Sequence, residues 1–181
     1  MAGDTTNAHS WDNADVYVGD VGSTGPTDLS TALDAAFTAI GLLDGDEGFT
    51  EGRDEDRADH YAWGGILIKT TRAHHKRTIR FVALEDNAET FGLLNPGSTT
   101  TTLTGTDTRV VKSPVSDPRA WVFQLKEGGS VLKRRHVPSA EVTDVADIVD
   151  SEGNVVAYDM TLSVYPASDG TLWTDIVPTP A

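Results

Sequence analysis

Cysteine is absent from this 181-residue chain. That excludes a disulfide framework and any thiolate-ligated zinc site. No run approaches the roughly 20 apolar residues that a membrane-spanning helix needs. Residues 1–13 carry neither a basic start nor an apolar stretch, so no secretory signal is expected. Bases are scarce, with 14 Lys and Arg against 28 Asp and Glu, for a formal charge of −14. Such a balance argues against tight nucleic-acid binding, which needs clustered bases that prevail over the general field. Helix formers are sparse while Thr, Val, Gly and Asp abound, which favours strands and turns. The length suits one domain with its own core, and the expectation is a soluble protein made in a cytoplasm.

Reactive constellations are lacking too. The chain has no GxSxG elbow, no HExxH, no phosphate-cradling GxxxxGK[ST] and no GxGxxG after a strand. The stretch DGDEGFTEGRDE (44–55) starts like a calcium loop, but its sixth position is Phe49, where the sharp turn demands glycine. His74 and His75 are adjacent, so on a strand they face opposite ways and do not share one ion. His9, His60 and His136 are scattered, and carboxylates are too abundant for any pair to be informative. No catalytic residue, cofactor or metal ligand is expected, and no enzymatic activity.

What the chain does have is an uneven charge. Residues 1–64 hold fourteen acids and two bases, residues 65–84 five bases and no acid, and residues 136–181 eight acids and no base. The basic stretch centres on TRAHHKRTIR (71–80). Acid can simply maintain solubility, or acidic ends and a basic middle can draw copies together.

Periodicity suggests the elements. Residues 1–13 are polar and aperiodic, an N-terminal arm with one aromatic, Trp11, as a candidate anchor on a neighbour. A single β-rich domain is expected over 14–166, with an extended C-terminal segment over 167–181. ADVYVGD (14–20) alternates as a strand. Leu29, Leu33, Ala36, Phe37 and Ile40 make one apolar stripe, which predicts a helix over 29–40, capped by Thr27 or Asp28 and ended by Gly41. Residues 43–63 form a very polar segment, either a long loop or a solvated strand pair. Residues 66–84 predict a hairpin around a tip at Ala73-His74-His75-Lys76. Asn87 and Asn95-Pro96-Gly97 bracket a short second helix, and 98–108 is a Thr-rich turn region between strands. Strands follow at 120–126 and 131–137, joined by Gly128-Gly129, then across the ambiguous 140–149, and at 156–164 after a turn at Ser151-Glu152-Gly153.

This order of elements resembles the major tail tube proteins of long, non-contractile-tailed bacteriophages, particularly the actinobacteriophage type. The likeness rests on residues 14–48, with the PTDL entry and Gly-Leu-Leu-Asp-Gly. It also rests on 61–97, with Trp63-Gly64-Gly65 and Glu85-Asp86-Asn87, and on 154–165. The resemblance implies a mainly β (α+β) fold, a sandwich or barrel-like domain with a flanking amphipathic helix and a short second one. It implies six-membered rings stacked into a hollow tail tube in the virion, assembled in the host cytoplasm, through which DNA is ejected without specific binding. Partners implied are further copies of the chain and the tape measure, tail terminator and baseplate proteins, with no membrane. Other components of the same fold, a terminator or a secretion-tube subunit, and a ligand-binding β-domain are the alternative readings.

The charge pattern then suggests self-association residues. Lys69, Arg72, Lys76, Arg77 and Arg80 of the basic stretch would meet acids of a neighbouring copy. Those acids are Asp44, Asp46 and Glu47, then Asp54, Glu55 and Asp56 of the polar segment, with Arg53 among them, or else those of the acidic C-terminal third; Trp11 is the anchor.

Overall fold

The computed structural model describes residues 8–179. The strands expected at 14–20, 120–126 and 156–164 form as β1 (Asn13–Asp20), β7 (Arg119–Glu127) and β9 (Tyr158–Val164), the last starting two residues later than expected. With β2 (Thr38–Ala39), β3 (Thr50–Tyr61), β4 (Leu67–Ala83), β8 (Ser130–Val145) and β10 (Thr174–Ile176) they make one antiparallel sheet. Its order is β2-β1-β7-β8-β9-β4-β3, with β10 on β8. A separate hairpin, β5 (Thr99–Leu103) and β6 (Thr106–Val110), occupies the Thr-rich region.

The sheet closes on itself. Ile40 N–H donates to the Val16 carbonyl at 3.0 Å, Asp44 N–H to Val82 at 3.0 Å and Leu84 N–H to Leu42 at 2.9 Å. Residues 40–44 therefore bridge β1 to β4 and leave neither edge bare there. Inside lies one core built from every long barrel strand: Val16, Phe81, Trp121, Val137, Met160 and Leu162 are all at most 1% exposed. The Trp121 indole N–H donates to the Ala140 carbonyl at 3.0 Å, so this buried ring leaves no polar atom unpaired. Helix α1 (Ala88–Leu94) adds Leu93 to this core, and Asn87 caps it by accepting from Thr90 N–H at 2.9 Å, as the sequence predicts.

The expected helix over 29–40 does not form. Asp28 does bind the N–H groups of Ser30 (2.7 Å) and Thr31 (2.6 Å) as a helix cap would. But the buried Arg134 guanidinium takes the carbonyls of Asp28 (2.8 Å) and Thr31 (2.7 Å). In a helix those carbonyls would accept from residues four positions on. The Gln124 amide, turned oxygen-inward, accepts from the other Arg134 nitrogens at 3.1 and 3.3 Å, which completes the satisfaction of this buried cation. The segment runs instead as a strap across the outer face of the sheet. Its apolar residues are still used: Phe37 and Leu33 pack with Ala120 and Val122, and Ile40 enters the main core.

The predicted hairpin over 66–84 is also different. Residues 67–83 are one continuous strand, and its partner is β3, the second of the two readings left open for the polar segment. The turn is Ala62–Ile66, where Gly64 (φ 89°) and Gly65 (φ 80°) supply the left-handed backbone a tight turn needs. The proposed tip at 73–76 has no glycine, and the structure makes it a β-bulge with His74 at φ 52°. Within the ambiguous 140–149, β8 extends only to Val145. The C-terminal segment contributes β10.

Replacing Arg134 by Met keeps most of the stem's volume but leaves two strap carbonyls without their donor. The expected loss is about 1–3 kcal/mol in urea unfolding, with faster proteolytic cleavage between residues 21 and 37.

Candidate assembly surface: the β3–β4 arm

Strand β9 accompanies β4 only from Ala83 to Arg77. Beyond Arg77 the β4 chain has β3 alone as its partner, down to the pair Tyr61↔Leu67. A two-stranded arm thus leaves the barrel. A lone ribbon is marginal in water, so its cross-strand pairs matter.

The base of the arm is clamped. Arg77 donates to Glu51 at 2.9 Å, and Glu51 also accepts from Arg135 at 3.1 Å. The rings of this cluster add to it: the Arg77 and Arg135 guanidinium carbons lie 5.6 and 4.5 Å from the Trp173 ring centre. Arg135 also forms a fork on Asp175, at 2.7 and 2.9 Å. Arg80 makes a similar fork on Asp159, at 2.8 and 2.6 Å, and reaches Glu47 at 2.8 Å. These bonds raise the Arg80 pKa further above its ordinary value.

Farther out, acids of β3 face bases of β4. The bulge sends His74 to Asp56 (2.9 Å) and His75 to Glu55 (3.3 Å), so each ring takes a different carboxylate. Glu55 also pairs with Arg57, which lowers the pKa of its carboxyl. Among the described residues no group of three His, Asp or Glu side chains converges as metal ligands would.

The sequence-predicted association residues therefore fall into two sets. Arg77, Arg80, Glu47, Glu55 and Asp56 find partners within their own chain. Asp44 is used locally, accepting from the N–H of Asp46 at 2.9 Å. Arg53, Asp54, Lys69, Arg72 and Lys76 are exposed and make no ion pair among the described residues, and neither does Asp46. Trp11, stacked on His9 at 5.1 Å, lies beside an open groove. Residues 1–7 of the expected N-terminal arm lie outside the described residues, and Asp12 is tied to the β7–β8 turn through Gly128 N–H at 2.6 Å.

Sequence reasoning missed the tip of the arm. Trp63 is 102% exposed, and Tyr61, Ile66, Leu67 and Ile68 beside it are exposed as well. The run GGILIK reads as a buried strand by composition. The pair Gly64-Gly65 next to a tryptophan was the available signal for an exposed turn.

Asp175 gives the base of the arm a pH dependence. Burial alone would push its carboxyl up, but the Arg135 bonds and charge, helped by Lys133, outweigh this and hold it below its usual range. A depressed folded pKa contributes stability that is present above the unfolded value of about 3.9 and lost as pH falls through the folded value. Asp175→Asn should therefore cost about 1 kcal/mol at neutral pH. That difference from the wild type should shrink on acidification below about pH 4, as followed by urea unfolding across pH.

The profile of a family described as phage tail tube protein matches residues 1–180. None of the curated proteins matches the chain. Among solved structures it is similar to a chain of the sheath-tube complex, in the extended state, of an extracellular contractile injection system. The TM-score is 0.51 at 10% identity, covering 96% of each chain. It is likewise similar to a chain of the anti-feeding prophage tube terminating cap, with TM-score 0.51 at 12% identity over 98% of each chain. The sheath/tube terminator of the first system gives 0.51 at 11%, over 91% of this chain and 93% of that one. At such identities the likeness is one of fold. With the profile spanning nearly the whole sequence, the chain belongs to the phage tail tube protein family.

Proposed function

We propose that copies of this chain close into six-membered rings, that the rings stack into a hollow tube, and that DNA leaves the virion through it. The observation that carries this reading is the arm. It leaves a closed barrel and carries exposed apolar residues at its end, with Trp63 fully in solvent. A cluster of this kind on a folded domain marks a contact with another molecule. The family supplies the nature of that molecule: a tail tube subunit contacts its own copies.

The charge supports the conduit. A chain of net charge −14 repels phosphate on average, so DNA slides past without sticking. The exposed bases Lys69, Arg72 and Lys76 and the exposed acids Asp46 and Asp54 are the charges left for neighbouring copies, with Arg53 and Trp11 beside them. Each such pair is weak alone, but a ring repeats every contact. The tape measure, terminator and baseplate proteins would meet the tube at its core and its ends.

A second reading is favoured by one specific observation. A contractile injection system's sheath/tube terminator and the anti-feeding prophage tube terminating cap share this fold as closely as a chain of the sheath-tube complex does. A terminator stops at one ring, whereas a tube subunit stacks.

Negative-stain electron microscopy of the purified protein, at high concentration and across a salt series, separates the readings. Hollow tubes or stacked rings are expected. Single rings that never stack would favour the terminator, and particles that stay monomeric under every condition would refute both. The variant Lys69→Gln/Arg72→Gln, at positions that face His60 and Arg57 and no acid, should weaken assembly and flatten its salt dependence while leaving monomer stability within about 0.5 kcal/mol.

A further inference from the structure

The arm's apolar tip needs somewhere to go, and the same chain has an open apolar groove far from it. The groove, of about 630 Å³, is walled by Trp11, Leu42, Leu43, Phe49 and Leu125. Leu42 is 68% exposed there, and Trp11 is 39% exposed, so much of this apolar surface faces solvent. Acids line it too, Asp12 and Asp44 among them; each of these two carboxylates accepts from backbone N–H of its own chain and, among the described residues, has no base against it.

Tip and groove are complementary in both respects. The tip brings Trp63, Ile66 and Ile68, all exposed. Just behind it stand Lys69 and Arg72, bases without an ion pair among the described residues, ready to face an acidic rim. A groove with apolar walls and a charged margin matches the usual anatomy of a protein interface.

The chain's own tip cannot fill the groove. Phe49 lines it, and β3 starts at the next residue and runs outward for 12 residues. At about 3.3 Å per residue that sets the tip roughly 35–40 Å away along a paired ribbon. Resting on the tube reading above, we infer that the β3–β4 tip of one copy seats in the groove between residues 11–15 and 41–49 of a second copy. Tip and groove are different surfaces, so the contact is heterologous. Each copy offers a tip and a groove, and the contact propagates from copy to copy.

The absence of cysteine makes the test clean. Ile66→Cys places a thiol in the tip and leaves Trp63 intact. Gly45→Cys places one in the groove, where an added Cβ meets open space. A disulfide needs Cα atoms within about 7 Å, so an Ile66→Cys/Gly45→Cys link forms only between copies. Single-cysteine proteins are mixed under mild oxidation. The Ile66→Cys plus Gly45→Cys dimer should exceed an Ile66→Cys plus Thr100→Cys control, whose second thiol sits on the β5–β6 hairpin, by about tenfold or more. Adding Trp63→Ala to the tip protein should remove that excess while monomer melting stays unchanged. Rings or tubes seen by microscopy with no excess over the control would overturn the groove contact and leave the tube reading standing. A wild-type protein that never associates would overturn both.

Discussion

Everything distinctive about this molecule follows from where its sheet closes. The bridge formed by residues 40–44 joins β1 to the barrel end of β4, at Val82–Leu84. Closure there completes the core around Trp121 and Phe81 and satisfies the edges of the strands that surround it. It also fixes how much of β4 belongs to the barrel. That strand has 17 residues, and β9 pairs with those from Arg77 onward only. The remainder has to leave with β3 as a ribbon. The arm is therefore a geometric consequence of a strand longer than the barrel it helps to build.

The basic stretch in an acidic chain now has a physical account. Its inner half is consumed in holding the arm to the barrel. Arg77 and Arg80 are matched by Glu51, Glu47 and Asp159, and Arg77 lies over Trp173. Beyond them, strand β4 lies against the acidic strand β3, and the two histidines of the bulge each take one of its carboxylates. Concentrated opposite charges on adjacent strands help specify which strands pair and in which register. Lys69, Arg72 and Lys76 remain over, spread along the arm from Lys69 near the apolar tip to Lys76 near the base. The chain thus serves as a structural component of the virion tail whose most exposed feature combines an indole with unspent positive charge.

The barrel was largely legible in the sequence. The strand runs at 120–126 and 156–164, the second beginning at Tyr158, the Gly128-Gly129 turn and the Asn87 cap depend on neighbours close in the chain, and each is realised. The candidate association site was legible only in part. The charges were visible, but which of them would be neutralised at home depended on a strand pairing that periodicity in a fully solvated ribbon does not encode. The tip's exposure was hidden for the same reason: Ile66, Leu67 and Ile68 have the composition of a buried strand.

The sequence by itself determined a β-rich, cysteine-free, acidic chain with a short capped helix, because composition, alternation and local capping act between near neighbours. It also placed Leu33, Phe37 and Ile40 in apolar surroundings. Only the tertiary structure decided that those three lie on a strap and not a helix. That choice belongs to Arg134, a residue about a hundred positions away in sequence, whose buried guanidinium satisfies itself on the carbonyls a helix would have used. A buried cation must find acceptors wherever the fold brings them within reach, and no local pattern records which ones it will take.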